Sequence, residues 1–174
     1  MGKHIFLIGF MGSGKSHWGR QLAFHLDIPF NDLDELIEQA QNRSVSDIFR
    51  EEGEAAFRQY ESQALKSLET APGSVVATGG GAPCFGDNLA WMKRHGTTIY
   101  LKTAAGVLYE RLVNEKSTRP ILAGFQDDGL LSKIESLLAS RTGCYEMADV
   151  AVEYERNDDA FFENLLGACS GEWP

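Results

Sequence analysis

Gly9-Phe10-Met11-Gly12-Ser13-Gly14-Lys15-Ser16 fits G-x-x-x-x-G-K-[ST] at every fixed position. Its flanks are what the motif needs. Ile5-Phe6-Leu7-Ile8 is too short and too continuously apolar for a surface helix and reads as a buried parallel strand. After the loop, Trp18, Leu22, Ala23 and Leu26 recur at helical spacing. Strand, glycine loop and helix together make a phosphate cradle: backbone N–H groups turn inward and the helix N-terminus adds partial positive charge. In such a loop Lys15 reaches the β- and γ-phosphates and the Ser16 hydroxyl serves Mg²⁺. Lys15 is expected exposed on the loop, with no core contact.

Outward from that loop the elements alternate. Strands are expected at about 4–9, at Pro29-Phe30-Asn31 ending in Asp32, at Ser74–Ala77, at Thr97–Leu101 and at Val150–Tyr154. Helices are expected at about 15–26, Asp34–Gln41, 104–114, 130–141 and 159–168. A long helical region begins after Ser44, a cap with Asp47 three residues on, and Gly53 should divide it. Strands alternating with helices imply an α/β fold of three layers, a central parallel five-stranded sheet flanked by helices. Sites in such sheets lie outside the C-terminal strand ends. The phosphate loop, Asp32/Asp34 and Thr78-Gly79-Gly80-Gly81 all fall there. The polar stretch from Glu115 to Asp128, with Pro120 and Gly124, reads as a lid.

The chain has 174 residues, 43% hydrophobic and 24% charged, which suits one globular domain over 1–174. A net charge of −9 argues against a nucleic-acid partner, so positive charge for an anionic nucleotide must be local. The three cysteines, Cys84, Cys144 and Cys169, have neither disulfide-framework nor metal-ligand spacing, and a reduced cytoplasm is the simplest setting. Cys84 is read as incidental. No stretch is apolar enough to span a bilayer, and no membrane partner is expected. His4, His17, His25 and His95 have no ligand spacing, and Trp18 and Trp91 read as packing.

A second set of residues addresses the phosphoryl acceptor. Asp32-Leu33-Asp34 puts two carboxylates at a strand end, and Gly53-Glu54 with Phe57-Arg58 puts an arginine on a helix. Gly79–Gly81 offers bare backbone, Arg119-Pro120 lies in the expected lid, and Arg141 ends the next helix, four residues before Tyr145. With Gly19-Arg20, Ile37-Glu38, Ile48-Phe49, Glu61 and Ile121-Leu122, this ordered set resembles the shikimate kinase family over nearly the whole chain.

The resemblance implies a P-loop NTPase of the nucleoside-monophosphate-kinase-like type, with a mobile lid at about 113–126 and a substrate-binding helical region at about 32–61. It implies ATP-dependent, Mg²⁺-assisted phosphorylation of the 3-hydroxyl of shikimate, a step of chorismate and aromatic amino acid biosynthesis, by a cytoplasmic monomer. Carried over by position, Asp34, Arg58, Gly80 and Arg141 would hold shikimate. Lys15, Asp34 and Arg119 would be catalytic. Gly12, Ser13, Gly14, Lys15, Ser16, His17, Arg111, Arg119 and Arg156 would bind ATP, and Ser16 with Asp32 through water would serve the metal. His17 stands where the family commonly has Thr, Gln41-Asn42-Arg43 replaces the usual Thr-Gly, and Phe125-Gln126-Asp127-Asp128 is more acidic than the pattern.

The chemistry agrees. A small ring with one carboxylate and several hydroxyls wants planar cations, which Arg58 and Arg141 supply, and a fixed acceptor, which Asp34 supplies. Blander readings stand beside each: Asp32 and Asp34 as a helix cap and first-turn acid, Arg58 as a surface cation, Arg141 as a helix C-terminal charge. The rival activities are another small-metabolite kinase, such as a gluconate kinase, and a nucleotide switch without a small substrate.

Overall fold

The computed structural model describes residues 3–113 and 127–169. Five strands form one sheet in the order β2-β3-β1-β4-β5, every pairing parallel. They are β1 (His4–Ile8), β2 (Phe30–Asp32), β3 (Val75–Ala77), β4 (Gly96–Lys102) and β5 (Val150–Glu153). The helices are α1 (Lys15–Leu26), α2 (Leu33–Gln41), α3 (Val45–Ser67), α4 (Asn88–His95), α5 (Ala105–Leu112), α6 (Asp127–Tyr145) and α7 (Asp158–Cys169).

β1 is central and wholly buried, which is why it reads as an unbroken apolar run. Ile5 lies opposite Val75 on one side and Thr97 on the other. Alternation along the strand sends Phe6 and Ile8 into one core, with Trp91, Met92, Leu108 and Tyr145. Ile5 and Leu7 enter the other, with Trp18, Leu22, Phe161 and Leu165. Each such side chain contributes about 1.5–3 kcal/mol on full burial, so the two cores pin the sheet from both faces. Trp18 and Trp91 are packed into these cores, as expected.

The sequence reading meets one agreement and two departures here, each with a local cause. Gly53 divides α3 into two helices as expected: at φ 81° and ψ 178° it leaves the helical region, and a second helical stretch begins after it. α4 has no counterpart in the expected pattern, because two turns carry too little periodicity to register. α6 runs past 141 to Tyr145, so Arg141 stands inside the helix and not at its end. Thr142 returns its hydroxyl to Leu138 O at 2.8 Å, and the fully buried Tyr145 anchors the final turn. The lid expected at about 113–126 lies, beyond Val113, outside the described residues, and Arg119 with it.

Candidate active site

The loop between β1 and α1 is shaped by its glycines. Gly14 caps α1 at φ 90°, a left-handed conformation that a β-carbon disfavours, so α1 begins at Lys15 directly over the loop. Lys15 is buried, contrary to the expectation of an exposed side chain. Its ammonium folds back and donates to Gly9 O at 2.9 Å and Phe10 O at 2.8 Å. Those bonds compensate its desolvation and hold the charge inside the cradle. Next to it the Ser16 hydroxyl donates to Asp32 Oδ2 at 2.5 Å. Asp32 is also the cap of α2, since Oδ1 accepts from Asp34 N at 3.1 Å. Asp32 therefore caps α2 with one carboxylate oxygen and meets Ser16 of the loop with the other.

A cavity of about 390 Å³ opens over the loop, with Gly12, Gly14, Lys15, Ser16, His17, Asp32 and Arg111 in its wall. Arg111 donates to Gly12 O at 2.9 Å and lies 4.5 Å over the Tyr154 ring, so the loop, α5 and the end of β5 meet at one cation. The His17 ring is 2.8 Å from the Gln21 side-chain nitrogen. Arg156 lines neither this cavity nor its neighbour. It is exposed and forms a two-pronged ion pair with Glu110 at 2.7 and 2.9 Å.

The neighbouring cavity, about 320 Å³, lies between α2, α3, α6 and the glycine turn after β3. Phe49, Phe57 and Val45 give it apolar walls; Asp34, Arg58, Glu61 and Arg141 give it charge. Arg58 is clamped on its own helix. It donates to Glu54 Oε1 through Nε at 3.2 Å and through Nη2 at 2.8 Å, and to Glu61 Oε2 through Nη1. Burial disfavours its charge, but Glu61 and Glu54 more than offset this and hold the guanidinium pKa above its ordinary value. Glu61 has no exposed surface, and burial pushes its carboxyl up to about 7 against the opposing pull of Arg58; the Asp34 charge adds to the rise. Arg141 reaches in from α6, its Cζ 5.7 Å from the Phe10 ring, and its Nη1 is buried with no hydrogen-bond partner among the described residues. Among the described residues that leaves a buried charged donor in the wall of the cavity.

The two cavities share Met11, Asp34, Gly79 and Gly80. Asp34 thus stands at the junction of the cavity over the loop and the cavity between the arginines. Bare backbone makes the meeting possible. A β-carbon on Gly80 would press on Met11 N at 3.2 Å, and one on Gly79 would collide with the Glu61 carboxylate. Tyr145 ties the turn to α6, its hydroxyl donating to Gly80 O at 2.5 Å.

Of the residues singled out from sequence, Lys15, Ser16, Asp32, Asp34, Arg58, Gly80, Arg111 and Arg141 are brought to one crevice, and Arg156 is not. The counter-ion role of Glu61 and the tether role of Tyr145 were missed. The first was within reach, because Glu54 and Glu61 lie four before and three after Arg58, on one helix face. The second joins residues 65 apart and has no local signal.

The family model for shikimate kinase matches residues 11–169. A shikimate kinase of Bacteroides fragilis is 46% identical over 145 residues, covering 83% of this chain and 81% of the relative. One from Bacteroides thetaiotaomicron is 41% identical over 155 residues, covering 89% of each. Among solved structures, the shikimate kinase of B. thetaiotaomicron superposes with a TM-score of 0.88 at 36% identity, over 97% of this chain and 99% of that one. The Acinetobacter baumannii enzyme, solved in complex with shikimate, gives 0.88 at 31% identity over 99% and 96%. A gluconokinase from Sinorhizobium meliloti shares the fold alone, at 19% identity and a TM-score of 0.61 over 95% of this chain and 90% of that one. Agreement along nearly the full length, in sequence and in fold, leaves one placement: the chain belongs to the shikimate kinase family.

Proposed function

We propose that this protein transfers the γ-phosphoryl group of ATP to the 3-hydroxyl of shikimate. The observation that carries the reading is the junction of the two cavities at Asp34, between a phosphate cradle and an arginine-lined pocket. Phosphoryl transfer is mainly positioning and charge neutralisation, and the parts for both are present.

The loop amides and Lys15 hold the phosphates, with Arg111 beside them. Arg58 and Arg141 take the shikimate carboxylate from two helices, which fixes the ring as well as its charge. Asp34 accepts from the attacking hydroxyl and aims it at the donor. In a loose transition state the proton leaves late, so orientation outweighs base strength. Arg119 is assigned to the transferred phosphoryl on the sequence pattern alone.

Ser16 and Asp32 form a hydroxyl–carboxylate pair of hard oxygens at the cradle, the donor type Mg²⁺ takes alongside water and phosphate. No group of three or more His, Cys, Asp or Glu among the described residues could hold a metal alone, which suits an ion that arrives with its nucleotide. When bound, Mg²⁺ supplies charge neutralisation on the phosphate oxygens. No helix among the described residues is long and apolar enough to cross a membrane. We read the protein as a cytoplasmic monomer, one kinase domain over 1–174.

The test is a coupled assay with ATP and Mg²⁺ and a choice of acceptor: shikimate, gluconate or none. Turnover with shikimate alone is expected. Turnover with gluconate, or equal ADP release without any acceptor, would overturn the assignment.

A further inference from the structure

Glu54 lines neither cavity, and its side chain is 57% exposed. It reaches the acceptor pocket only through Arg58, whose side chain is 9% exposed. The helix is interrupted at Gly53, so Glu54 opens the stretch that carries Arg58 one turn on and Glu61 the next turn beyond. A single oxygen, Glu54 Oε1, accepts from Arg58 Nε at 3.2 Å and from Nη2 at 2.8 Å. Those two nitrogens form one edge of the guanidinium. Glu61 Oε2 accepts from Nη1.

Nη1 and Nη2 each carry two N–H donors and Nε carries one, all in one plane. One donor on each nitrogen is engaged by the two glutamates. Among the described residues, one N–H therefore remains on each terminal nitrogen, and the two oxygens of a carboxylate can meet such a pair. The face of the plane is held as well. A β-carbon on Gly81 would fall 2.5 Å from Arg58 Cζ, 2.6 Å from Nη2 and 2.7 Å from Nη1, so the glycine turn lies flat against the group. Glu61 by itself is a contact at one nitrogen, about which the guanidinium can still turn. The double contact along the Nε–Nη2 edge removes that freedom.

We propose that Glu54 is a positioning residue for the acceptor: it grips the Nε–Nη2 edge of Arg58, so that the remaining N–H pair faces a planar carboxylate in the pocket. Its own carboxylate does not meet the substrate. The binding half rests on the acceptor reading proposed above; the grip on Arg58 does not.

Charge and position predict opposite signs. Removing a carboxylate from beside a site for an anion strengthens binding by Coulomb's law. Removing a grip weakens it, because the long Arg58 side chain must then be ordered when the ligand arrives. A purely structural role, an i,i+4 pair with an exposed partner, predicts little change in either direction.

Glu54→Ala and Glu54→Gln in the intact protein separate these roles. Gln loses the charge but keeps an acceptor oxygen for the edge. In Glu54→Ala the Kd and KM for shikimate should rise roughly twofold to tenfold, with kcat and ATP affinity close to wild type. Glu54→Gln should recover most of that loss. The methyl ester of shikimate has no carboxylate for the N–H pair, so wild type and Glu54→Ala should handle it alike. Without any ligand, the Arg58 Nε–H proton should exchange slowly with water in wild type and Glu54→Gln, and fast in Glu54→Ala. Shikimate binding as tight in Glu54→Ala as in wild type, or tighter, would overturn the proposal. So would equal weakening of shikimate and its ester, or an Nε–H exchange rate that Glu54→Ala leaves unchanged. If the exchange rates follow the grip in a protein that binds no shikimate, it is the acceptor reading that fails.

Discussion

At the scale of single residues, the site sets near neighbours different tasks. Asp32 caps a helix and meets Ser16; Asp34, two residues on, faces the junction of the cavities. Asn keeps the shape of Asp34 but replaces one acceptor oxygen with a donor. Asp34→Asn is expected to lower kcat roughly 10²–10⁴-fold and to leave ATP affinity intact. As a first-turn acid of α2 the residue contributes only about 0.3–1 kcal/mol to stability, so a barely shifted melting temperature with a collapsed rate identifies the site role. Near-normal turnover would remove it.

The two arginines are expected to separate in the same way. Loss of a charge-assisted hydrogen bond at either should weaken shikimate binding by about 1.5–3 kcal/mol, roughly tenfold to a hundredfold, with ATP binding unchanged. Their stabilities should differ. Arg58→Ala strands a fully buried Glu61, and breaking a buried pair costs on the order of 3 kcal/mol. Arg141→Ala removes a guanidinium whose Nη1 has no hydrogen-bond partner among the described residues. Shikimate titrations beside thermal melts of the two variants check both halves; equal melting points would contradict the counter-ion role of Glu61.

At the scale of elements, the acceptor pocket depends on how closely the glycine turn approaches α3 and α6. Gly81 has an ordinary helical φ of −96°, so its backbone accepts a side chain. Its surroundings do not. A β-carbon there would come within 2.5 Å of the Arg58 Cζ. The obstacle is the far end of a long side chain, so in Gly81→Ala the guanidinium should swing aside and the fold survive. The expected result is a raised KM for shikimate, unchanged ATP binding and a modest drop in melting temperature. Tyr145→Phe probes the other contact of the same turn. It deletes the bond to Gly80 O while keeping the ring in the core. It should raise the KM for shikimate more than it lowers kcat, and a variant with unchanged KM would show that the turn holds its place without the tether.

At the scale of the molecule, one buried group should mark the pH dependence of stability. The Glu61 carboxyl is pushed up to about 7 in the fold, from an ordinary 4.5. Between those values the folded state keeps a proton that the unfolded state has lost, so on this account stability falls as pH rises from about 4.5 to about 7. His4 acts in the opposite sense. Burial lowers its pKa, so the unfolded state holds the extra proton below 6.5 and stability rises with pH there. The depressed carboxylates Asp47, Asp87 and Glu110 titrate below this window. The difference between wild type and Glu61→Gln therefore isolates Glu61: the melting temperature of the variant should lack the descending component between pH 4.5 and 7. Parallel curves would place the carboxyl at its ordinary value.

Short windows of the chain carry what local chemistry can specify. Gly9–Ser16 between an apolar run and a helical period specified strand, cradle and helix. The alternation of strands and helices specified a parallel sheet with its site at the strand ends. Ordered motifs over the whole chain specified the family. The tertiary structure alone decided what depends on distance between remote segments. Lys15 is buried because its ammonium folds back onto carbonyls of its own loop. α6 continues past Arg141 because Tyr145 finds a core and a carbonyl contributed from residue 80. Glu61 holds its proton to about pH 7 because three helices and a glycine turn exclude water around it. Spacing along a chain fixes which face of an element a residue takes; burial, and the pKa values and contacts that follow from it, are set by what other elements pack against that face.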